Sequence, residues 1–420
     1  MPTPEEHLRA YGAFLTEKTG RWSLDEVFAE RAALTPTRQV TADLRAACTA
    51  LESPPPSSDH PQVLGRSRSR RTRMLATIAA LVLVTIAVVG AVAVARQSSV
   101  QPDHASTWMR VKGAMPPARS LAVMAFDPIS NEMILFGGLG AGGEEFSDTW
   151  AWNGRSWARL HPAVSPPALA GVSMAYDSES RQLVLFGGDV RGGFANETWL
   201  WQGDTWRRAT PAQSPPPRSE SVMAYDEATG QLVLFGNFSG SVFANTQPLT
   251  ATWIWNGATW VRQLPRSQPP VAGGGLGYDG TSHRLILIGG SSPSGAAANS
   301  WAWTGDEWTP IHFASLPTKR ENEALAWDPA ASSVLLYGGG SLTPNDTRQC
   351  HSQGVSCFGV KYLGDTWILN EATWRSLGTT TGLSPTWSVA MAYDPATARV
   401  ELFGGEKAPG QMSDAMWSWG

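Results

Sequence analysis

Three arginines occupy the same place relative to a recurring aspartate. Arg119, Arg218 and Arg320 each stand eight residues before an Asp that follows an aromatic residue. A guanidinium group donates hydrogen bonds in a fixed fork that matches a carboxylate or a phosphate. Brought together, the three arginines predict a site for an anionic ligand, with the neighbouring positions Glu321 and Trp387 beside it.

The same arginines also fit a structural role, in which each guanidinium group binds the carbonyl groups of neighbouring loops. The sequence leaves both interpretations open. The remaining residues show no carboxylate pair, Ser-His-Asp set or metal-ligand cluster by spacing, and the histidines are scattered. The pattern therefore favours binding over catalysis, and it predicts neither a cofactor nor a metal.

The aspartates belong to a repeat. The aromatic-Asp pair occurs six times, with successive Asp spacings of 50, 49, 53, 49 and 66 residues, so the fifth unit carries an insertion. The six aspartates are Asp127, Asp177, Asp226, Asp279, Asp328 and Asp394. Each can begin a turn by accepting a hydrogen bond from the backbone two residues on.

Each unit contains four strand signals. A strand of small residues is followed by a buried apolar strand such as MILFGG, then by a Trp-rich strand such as DTWAW and, after a tight turn, by a fourth such as SWARL. This predicts an all-β, six-bladed β-propeller. Small residues suit the innermost strands, which converge on the axis, and tryptophan fills the widening space between the outer strands.

The two ends of the repeat region complement each other. The sixth unit ends in DAMWSWG with three strands, while STWMRV at residues 106–111 precedes the first unit as an unassigned fourth strand. Strand 106–111 is therefore predicted to complete the last blade, which leaves the ring without open edges.

The units resemble kelch repeats over roughly residues 106–420. The resemblance rests on Gly-Gly pairs that follow an apolar strand and precede a Trp; they are Gly137-Gly138, Gly187-Gly188, Gly289-Gly290, Gly338-Gly339 and Gly404-Gly405. The third unit departs from it, with Gly236-Asn237. The resemblance implies a six-bladed kelch propeller, a fold used mostly for binding and sometimes for catalysis.

The connections between second and third strands vary most. They range from SSPSGAAA to the long GSLTPNDTRQCHSQGVSCFGVKYLG, while the other connections are short and uniform. Variation confined to one face is typical of a recognition surface on a rigid scaffold. We expect the ligand there, at the mouth of the central channel.

The sequence predicts a membrane anchor before the repeats. Residues 74–95 contain no charge in 22 positions, enough for a transmembrane helix. Five arginines between residues 66 and 73 place residues 1–73 in the cytoplasm and residues 96–420 outside. The triplets Ala91-Val92-Ala93 and Ala93-Val94-Ala95 leave cleavage as an alternative, which the long preceding segment disfavours.

The predicted domains are a cytoplasmic helical segment over residues 1–52, a Pro-rich then Arg-rich linker over 53–73, the helix over 74–95, a linker over 96–105 and the propeller over 106–420. The layout resembles bacterial membrane anti-sigma regulators, although residues 1–73 lack a His-Cys-Cys zinc pattern. It predicts a cytoplasmic regulator as partner of residues 1–73.

Charge and cysteines fit this topology. Residues 97–420 carry 20 Lys and Arg against 27 Asp and Glu, which argues against a nucleic-acid partner. Cys350 and Cys357 lie close together in the external part, where an oxidising compartment favours a disulfide. The alternative is a metal site that includes His351.

The sequence thus predicts a single-pass cell-membrane protein whose extracytoplasmic propeller binds a protein, a glycan or a small anionic ligand and signals through its cytoplasmic segment. The alternative is an extracytoplasmic carbohydrate-active enzyme, such as a lyase, epimerase or oxidase, with its site at the channel mouth.

Overall fold

The computed structural model describes residues 107–191, 193–236, 250–271, 274–292, 295–296, 300–343 and 359–420. They lie in one compact unit, Ser99–Gly420. The predicted helical segment, both linkers, the membrane helix, and Cys350 and Cys357 lie outside the described residues. Within the described residues, no helix is long and apolar enough to span a membrane.

All regular secondary structure in this part of the chain is β-strand, and six four-stranded antiparallel sheets form the predicted six-bladed propeller. The innermost strands are β2 (Val123–Asp127), β6 (Ser173–Asp177), β12 (Val222–Asp226), β16 (Gly275–Asp279), β22 (Ala324–Asp328) and β28 (Ala390–Asp394). The second strands are β3 (Glu132–Phe136), β7 (Gln182–Phe186), β13 (Gln231–Phe235), β17 (Arg284–Ile288), β23 (Ser333–Tyr337) and β29 (Arg399–Phe403).

The outer half of each sheet is rich in tryptophan. The third strands are β4 (Thr149–Trp152), β10 (Thr198–Trp201), β14 (Thr252–Trp255), β20 (Ser300–Trp303), β26 (Asp365–Asn370) and β32 (Met416–Trp419). The fourth are β5 (Trp157–Leu160), β11 (Trp206–Arg208), β15 (Trp260–Arg262), β21 (Trp308–Ile311), β27 (Thr373–Thr379) and, from the start of the region, β1 (Trp108–Arg110). Blades 1 to 6 are numbered here by their innermost strands in chain order.

Blade 6 is built from both ends of the propeller. Strand β1 pairs antiparallel with β32, so that Trp108 lies opposite Trp419 and Arg110 opposite Trp417. The sheet then continues through β29 to β28. This pairing closes the ring, because a strand from the start of the region becomes the outer strand of its last blade.

Each repeated aspartate begins the turn between the first two strands. The Asp127 carboxylate accepts hydrogen bonds from the Ile129 amide at 3.1 Å and the Ser130 hydroxyl at 3.0 Å. All six aspartates accept a hydrogen bond from the backbone amide two residues on. The predicted role of the aromatic-Asp pair in the turn is therefore confirmed.

Tryptophans of the fourth strands join neighbouring blades. Trp260 of blade 3 donates to the Thr198 hydroxyl of blade 2 at 2.9 Å, and its ring lies 5.2 Å from that of Phe186. The same pair of contacts links Trp206 to blade 1, where it bonds Thr149. Edge-on aromatic pairs of this kind contribute about 0.5–1.5 kcal/mol beyond burial. The tryptophans thus fill the space between blades, as predicted.

The Gly-Gly pairs let the blades approach. Both glycines have positive φ, and the second donates its amide to a carbonyl of the next blade, as Gly405 does to Arg119 at 2.8 Å. A Cβ on Gly404 would lie only 2.6 Å from that carbonyl oxygen. Four other pairs make the equivalent close approach. Glycine is required because the neighbouring backbone occupies the place of a side chain.

We expect Gly404→Ala to destabilise the propeller by about 1–3 kcal/mol more than Gly410→Ala does. Both glycines have similar positive φ, 78° and 73°, but a Cβ on Gly410 would meet nothing within 4 Å. The difference between the two variants therefore reports the contact between blades, because the backbone strain is similar in both. Chemical unfolding measures the difference, and equal losses of stability in the two variants would contradict this explanation.

Candidate functional site

The innermost strands begin on the face that carries the variable connections. Backbone bridges join Ser120 to Leu139 and Ala170 to Asp189, and thus the start of an inner strand to the connection between the second and third strands. Short hairpins extend these connections: β8 (Asp189–Val190) with β9 (Gly193–Phe194), β18 (Ser291–Ser292) with β19 (Gly295–Ala296), β24 (Gly340–Thr343) with β25 (Gly359–Tyr362), and β30 (Glu406–Ala408) with β31 (Gln411–Met412). This face is the predicted recognition surface.

A chain of backbone hydrogen bonds runs from blade to blade on this face. Five residues, one at the start of each of five inner strands, have left-handed backbone with φ of 52–60°; they are Leu121, Gly171, Glu220, Asn322 and Ser388. The amides of four of them donate to the equivalent carbonyl of the adjacent blade at 2.7–3.3 Å; these bonds run from Leu121 to Ser388, Gly171 to Leu121, Glu220 to Gly171 and Ser388 to Asn322. We call these five residues the channel mouth.

Left-handed backbone is unfavourable for Leu and Glu, at a cost of about 1–2 kcal/mol each. The amide of each bonds to the preceding blade, and the Leu121 carbonyl also accepts from Gly171 of the next blade. These bonds hold the two residues in the left-handed conformation. Such strain is commonly stored at functional sites. It also fixes the direction in which the side chains of the channel mouth leave the backbone.

Carboxylates cluster at the channel mouth. The Glu220 carboxylate accepts a hydrogen bond from the Asn322 side-chain amide at 3.1 Å, which joins blades 3 and 5. A Cβ built on Gly171 would lie 3.2 Å from an oxygen of Asp189 and 3.3 Å from Cγ of Glu220, so the two acids flank this glycine. Glu321 adds a third negative charge close to Glu220.

Burial makes these acids hard to ionise. Desolvation raises the pKa of Glu220 to about 7, against the opposing hydrogen bond from Asn322 and with the help of the charges on Asp189 and Glu321. Desolvation also raises the pKa of Asp189 to about 6, although Ser219 donates a hydrogen bond to it. Both groups therefore change protonation close to neutral pH.

A further acid is buried between blades 4 and 5. Glu323 is 6% exposed, and its carboxylate accepts from the Gly275 amide at 3.1 Å. Its second oxygen has no hydrogen-bond partner in the described chain, and desolvation raises its pKa to about 8. The protonated form therefore predominates at neutral pH, which reduces the cost of burying the group.

Two of the three predicted arginines are fully engaged with the scaffold. Arg119 is 0% exposed, binds both oxygens of Asp148 at 2.6 and 3.0 Å, and donates to the carbonyls of Pro117 and Gly137. Arg320 repeats these contacts with Asp365, at 2.9 and 2.8 Å, and with the carbonyls of Thr318 and Gly338. The geometry favours the structural interpretation for both.

The ion pair also shifts the pKa of the acid. Burial by itself would raise the pKa of Asp148, but hydrogen bonds from Arg119 and Trp150 and the charge of Arg119 lower it below its usual value. Asp365 is lowered in the same way through Arg320 and Trp367. Both carboxylates therefore remain ionised at neutral pH, and each balances the charge of an arginine within its own blade.

Arg218 differs from the other two. It donates to the carbonyls of Pro216 and Gly236, at 3.0 and 3.1 Å, but Ala251 stands where the other blades have Asp148 and Asp365. Its Nη2 is buried and has no partner in the part of the chain that the structure describes. Of the three predicted arginines, it alone lacks an acid.

Trp387 and Glu321 lie on the predicted face. The backbone of Trp387 pairs with Glu406, and its ring contacts Tyr362 edge-on, with the ring centres 6.3 Å apart. The backbone of Glu321 pairs with Gly340. Burial, and then the charge of Glu406, raise the pKa of Tyr362 to about 12. These aromatic rings form one side of the surface around the channel mouth.

The comparisons with known proteins support the fold. Residues 102–290 match the family model described as the KLHDC2/KLHL20/DRC7 Kelch-repeats domain. The chain carries a kelch-repeat β-propeller. The structure titled "Structure of YjhT" is similar to it with a TM-score of 0.54 and 15% identity, covering 72% of this chain and 95% of that one, which supports the kelch fold alone. The comparison with curated proteins gave no match.

Sequence reasoning missed the residues that shape the channel mouth of this kelch propeller. Asp189, Glu220 and Asn322 were not among the predicted site residues. A signal existed, since Glu220 and Asn322 stand two residues after Arg218 and Arg320. Within the described residues, no group of three or more His, Cys, Asp and Glu has a geometry that could hold a metal ion.

We expect Glu220→Gln to become more stable relative to the parent protein as pH rises from about 4.5 to 7. A carboxyl whose pKa is raised by folding stabilises the protein fully below its unfolded pKa, and this contribution is lost as pH rises through the folded value. Glutamine can still accept from Asn322 but does not ionise. Chemical unfolding at several pH values, with the exposed Glu227→Gln as control, measures the trend; parallel profiles for the parent and Glu220→Gln would contradict it.

Proposed function

We propose that this chain is a single-pass membrane protein whose kelch propeller binds a glycan at the channel mouth. The observation that carries the proposal is the group formed by Asp189, Glu220 and Asn322 on the variable face. The kelch propeller itself supports a binding or scaffold role. The strained backbone of the channel mouth holds the side chains of Glu220 and Asn322 in a fixed arrangement.

The chemistry of the surface fits a polyhydroxylated ligand better than an anion. Carboxylates accept, and the Asn322 amide both accepts and donates, hydrogen bonds of the kind that sugar hydroxyls make. Trp387 and Tyr362 offer apolar ring surface for the C–H groups of a sugar. Because Arg119 and Arg320 already bind Asp148 and Asp365, they give little support to the predicted three-arginine anion site.

Membrane anchoring and signalling rest on the sequence. The uncharged stretch of residues 74–95 and the arginines before it support a helix with residues 1–73 in the cytoplasm and the propeller outside. In this arrangement the propeller meets extracytoplasmic glycans, and residues 1–73 report its occupancy to a cytoplasmic regulator. The predicted disulfide between Cys350 and Cys357 fits the same compartment.

One observation favours an enzyme as the second candidate. The pKa values of Glu220 and Asp189, about 7 and about 6, are close to neutrality, where a carboxyl group works well as a general acid or base. A carbohydrate-active lyase or epimerase would use such a pair for proton transfer at the bound sugar. Product analysis separates the two candidate functions, because a bound glycan that is not converted to product excludes the enzyme.

Asn322→Ala is expected to weaken glycan binding by tenfold or more, because it removes a hydrogen-bond donor and leaves the Glu220 carboxylate without its partner. The full-length protein in detergent is screened on a glycan array, and the affinity for the best glycan is then measured for each variant. Glu179→Gln is the control and should bind like the parent, because Glu179 lies on the exposed turn between the first and second strands of blade 2. Undiminished binding by Asn322→Ala would exclude the channel mouth as the site.

Topology fusions test the anchor. Alkaline phosphatase, which is active only outside the cytoplasm, should be active when fused after residue 105 and inactive when fused after residue 60. Exchange of the five arginines between residues 66 and 73 for glutamine should weaken this asymmetry. Activity at residue 60, or none at residue 105, would overturn the proposed orientation.

A further inference from the structure

Three blades hold a carboxylate directly before, or at the first residue of, the third strand. Asp148 of blade 1, Glu197 of blade 2 and Asp365 of blade 5 occupy this position. Each accepts a hydrogen bond from the Trp Nε1 two residues on, at 2.7, 3.1 and 2.6 Å respectively. In blades 1 and 5 the carboxylate also binds the guanidinium group of the buried arginine.

Blade 3 keeps the donors without the acceptor. Ala251 occupies the position of the carboxylate. Arg218 is 1% exposed and Trp253 is 5% exposed. Arg218 Nη2 and Trp253 Nε1 are buried, and neither has a hydrogen-bond partner in the described residues. In blade 1 the equivalent atoms, Arg119 Nη2 and Trp150 Nε1, both donate to Asp148.

A second cation flanks the same position. Arg262 of β15 lies opposite Trp253, as Arg208 lies opposite Trp199 in blade 2. Arg208 uses this place to bind Glu197 at 2.6 Å. In blade 3 Ala251 stands at the position of Glu197, so Arg262 has no acid there to bind. Burial, followed by the charge of Arg262, lowers the pKa of Arg218 to about 10.

The sequence of the other blades makes this imbalance specific to blade 3. Blades 4 and 6, which also lack the acid, have Val271 and Thr386 in place of the arginine. The segment from residue 237 to residue 250, which joins the second and third strands of blade 3, contains no Asp or Glu. Its own connection therefore supplies no compensating carboxylate.

We propose that Arg218, Trp253 and Arg262 bind the carboxylate group of a small organic acid. The carboxylate takes the place that Asp148 and Asp365 occupy in their blades, with one oxygen accepting from both Arg218 Nη2 and Trp253 Nε1, as Oδ2 of each aspartate does from the equivalent atoms. A small acid is specified because the two donor atoms are buried and because the acid that is missing from blade 3 is a single carboxylate group. The site rests on contacts within blade 3 and does not depend on glycan binding at the channel mouth.

Acetate is the probe. The thermal unfolding of the full-length protein in detergent is measured at pH 7 in sodium acetate and in sodium chloride of equal ionic strength. Acetate should raise Tm saturably, by roughly 2–4 °C near saturation, because a ligand of the folded state stabilises it. Equal melting temperatures in acetate and chloride would overturn the proposal.

Ala251→Asp supplies the carboxylate from the chain itself. This variant should melt at a higher temperature than the parent and lose the response to acetate. The matched control is Asp148→Ala, which removes the acid beside Arg119 and Trp150 in blade 1. It should melt at a lower temperature and show a larger acetate response than the parent protein.

Two further variants complete the test. Trp253→Phe removes only one donor and should weaken the acetate response while the protein remains folded. Asn322→Ala changes the channel mouth and should leave the response unchanged, so failure of glycan binding is distinguished from failure of this site. An acetate response that persists in Ala251→Asp would place the anion elsewhere and overturn the assignment.

Discussion

The close contact between a Gly-Gly pair and a carbonyl of the next blade sets the geometry of the whole propeller. At five junctions the backbone of one blade lies where a Cβ of the preceding blade would be, and the amide of the second glycine bonds to that carbonyl. The contact lies at the start of the inner strand, so it fixes where each inner strand begins. The left-handed residues of the channel mouth follow two positions later and are aligned by it.

The carbonyl in this contact belongs to the position that carries arginine in blades 1, 3 and 5. Its backbone therefore docks against the preceding blade while its side chain binds the Gly carbonyl and the acid of its own blade. A buried guanidinium group is tolerated there because a carboxylate and two or more carbonyls surround it. In blade 3 the same scaffold position retains the arginine, while Ala251 replaces the acid and Nη2 is left buried without a hydrogen-bond partner in the described residues.

The fold could be read from the sequence because its signals are local and repeated. The aromatic-Asp pair, the Gly-Gly pair and the outer tryptophans recur in register, and each acts within its own turn or against the adjacent blade. The partners of the arginines were not readable, since Asp148 lies 29 residues from Arg119 and Asp365 lies 45 residues from Arg320. The intervening connections differ in length, so no constant spacing marks the pair.

The channel mouth was hidden for a different reason. Leu121 and Glu220 adopt a backbone conformation that their side chains disfavour, because hydrogen bonds to neighbouring blades impose it. The proximity of Glu220 and Asn322, 102 positions apart, arises only when the ring closes. Local propensity and pattern describe single blades, whereas the candidate site is a property of several blades together.

The pairing of β1 with β32 affects how the propeller folds during its synthesis. Strand β1 is the first propeller strand to leave the ribosome, yet its partner follows only after roughly 300 further residues, which takes tens of seconds at about 5–20 residues per second. During that time blades 1 to 5 can assemble in order while the edges of blade 6 stay open. The nascent chain therefore spends much of its synthesis with Trp108 and the backbone of β1 available to other chains, and this exposure ends once β32 (Met416–Trp419) has been made.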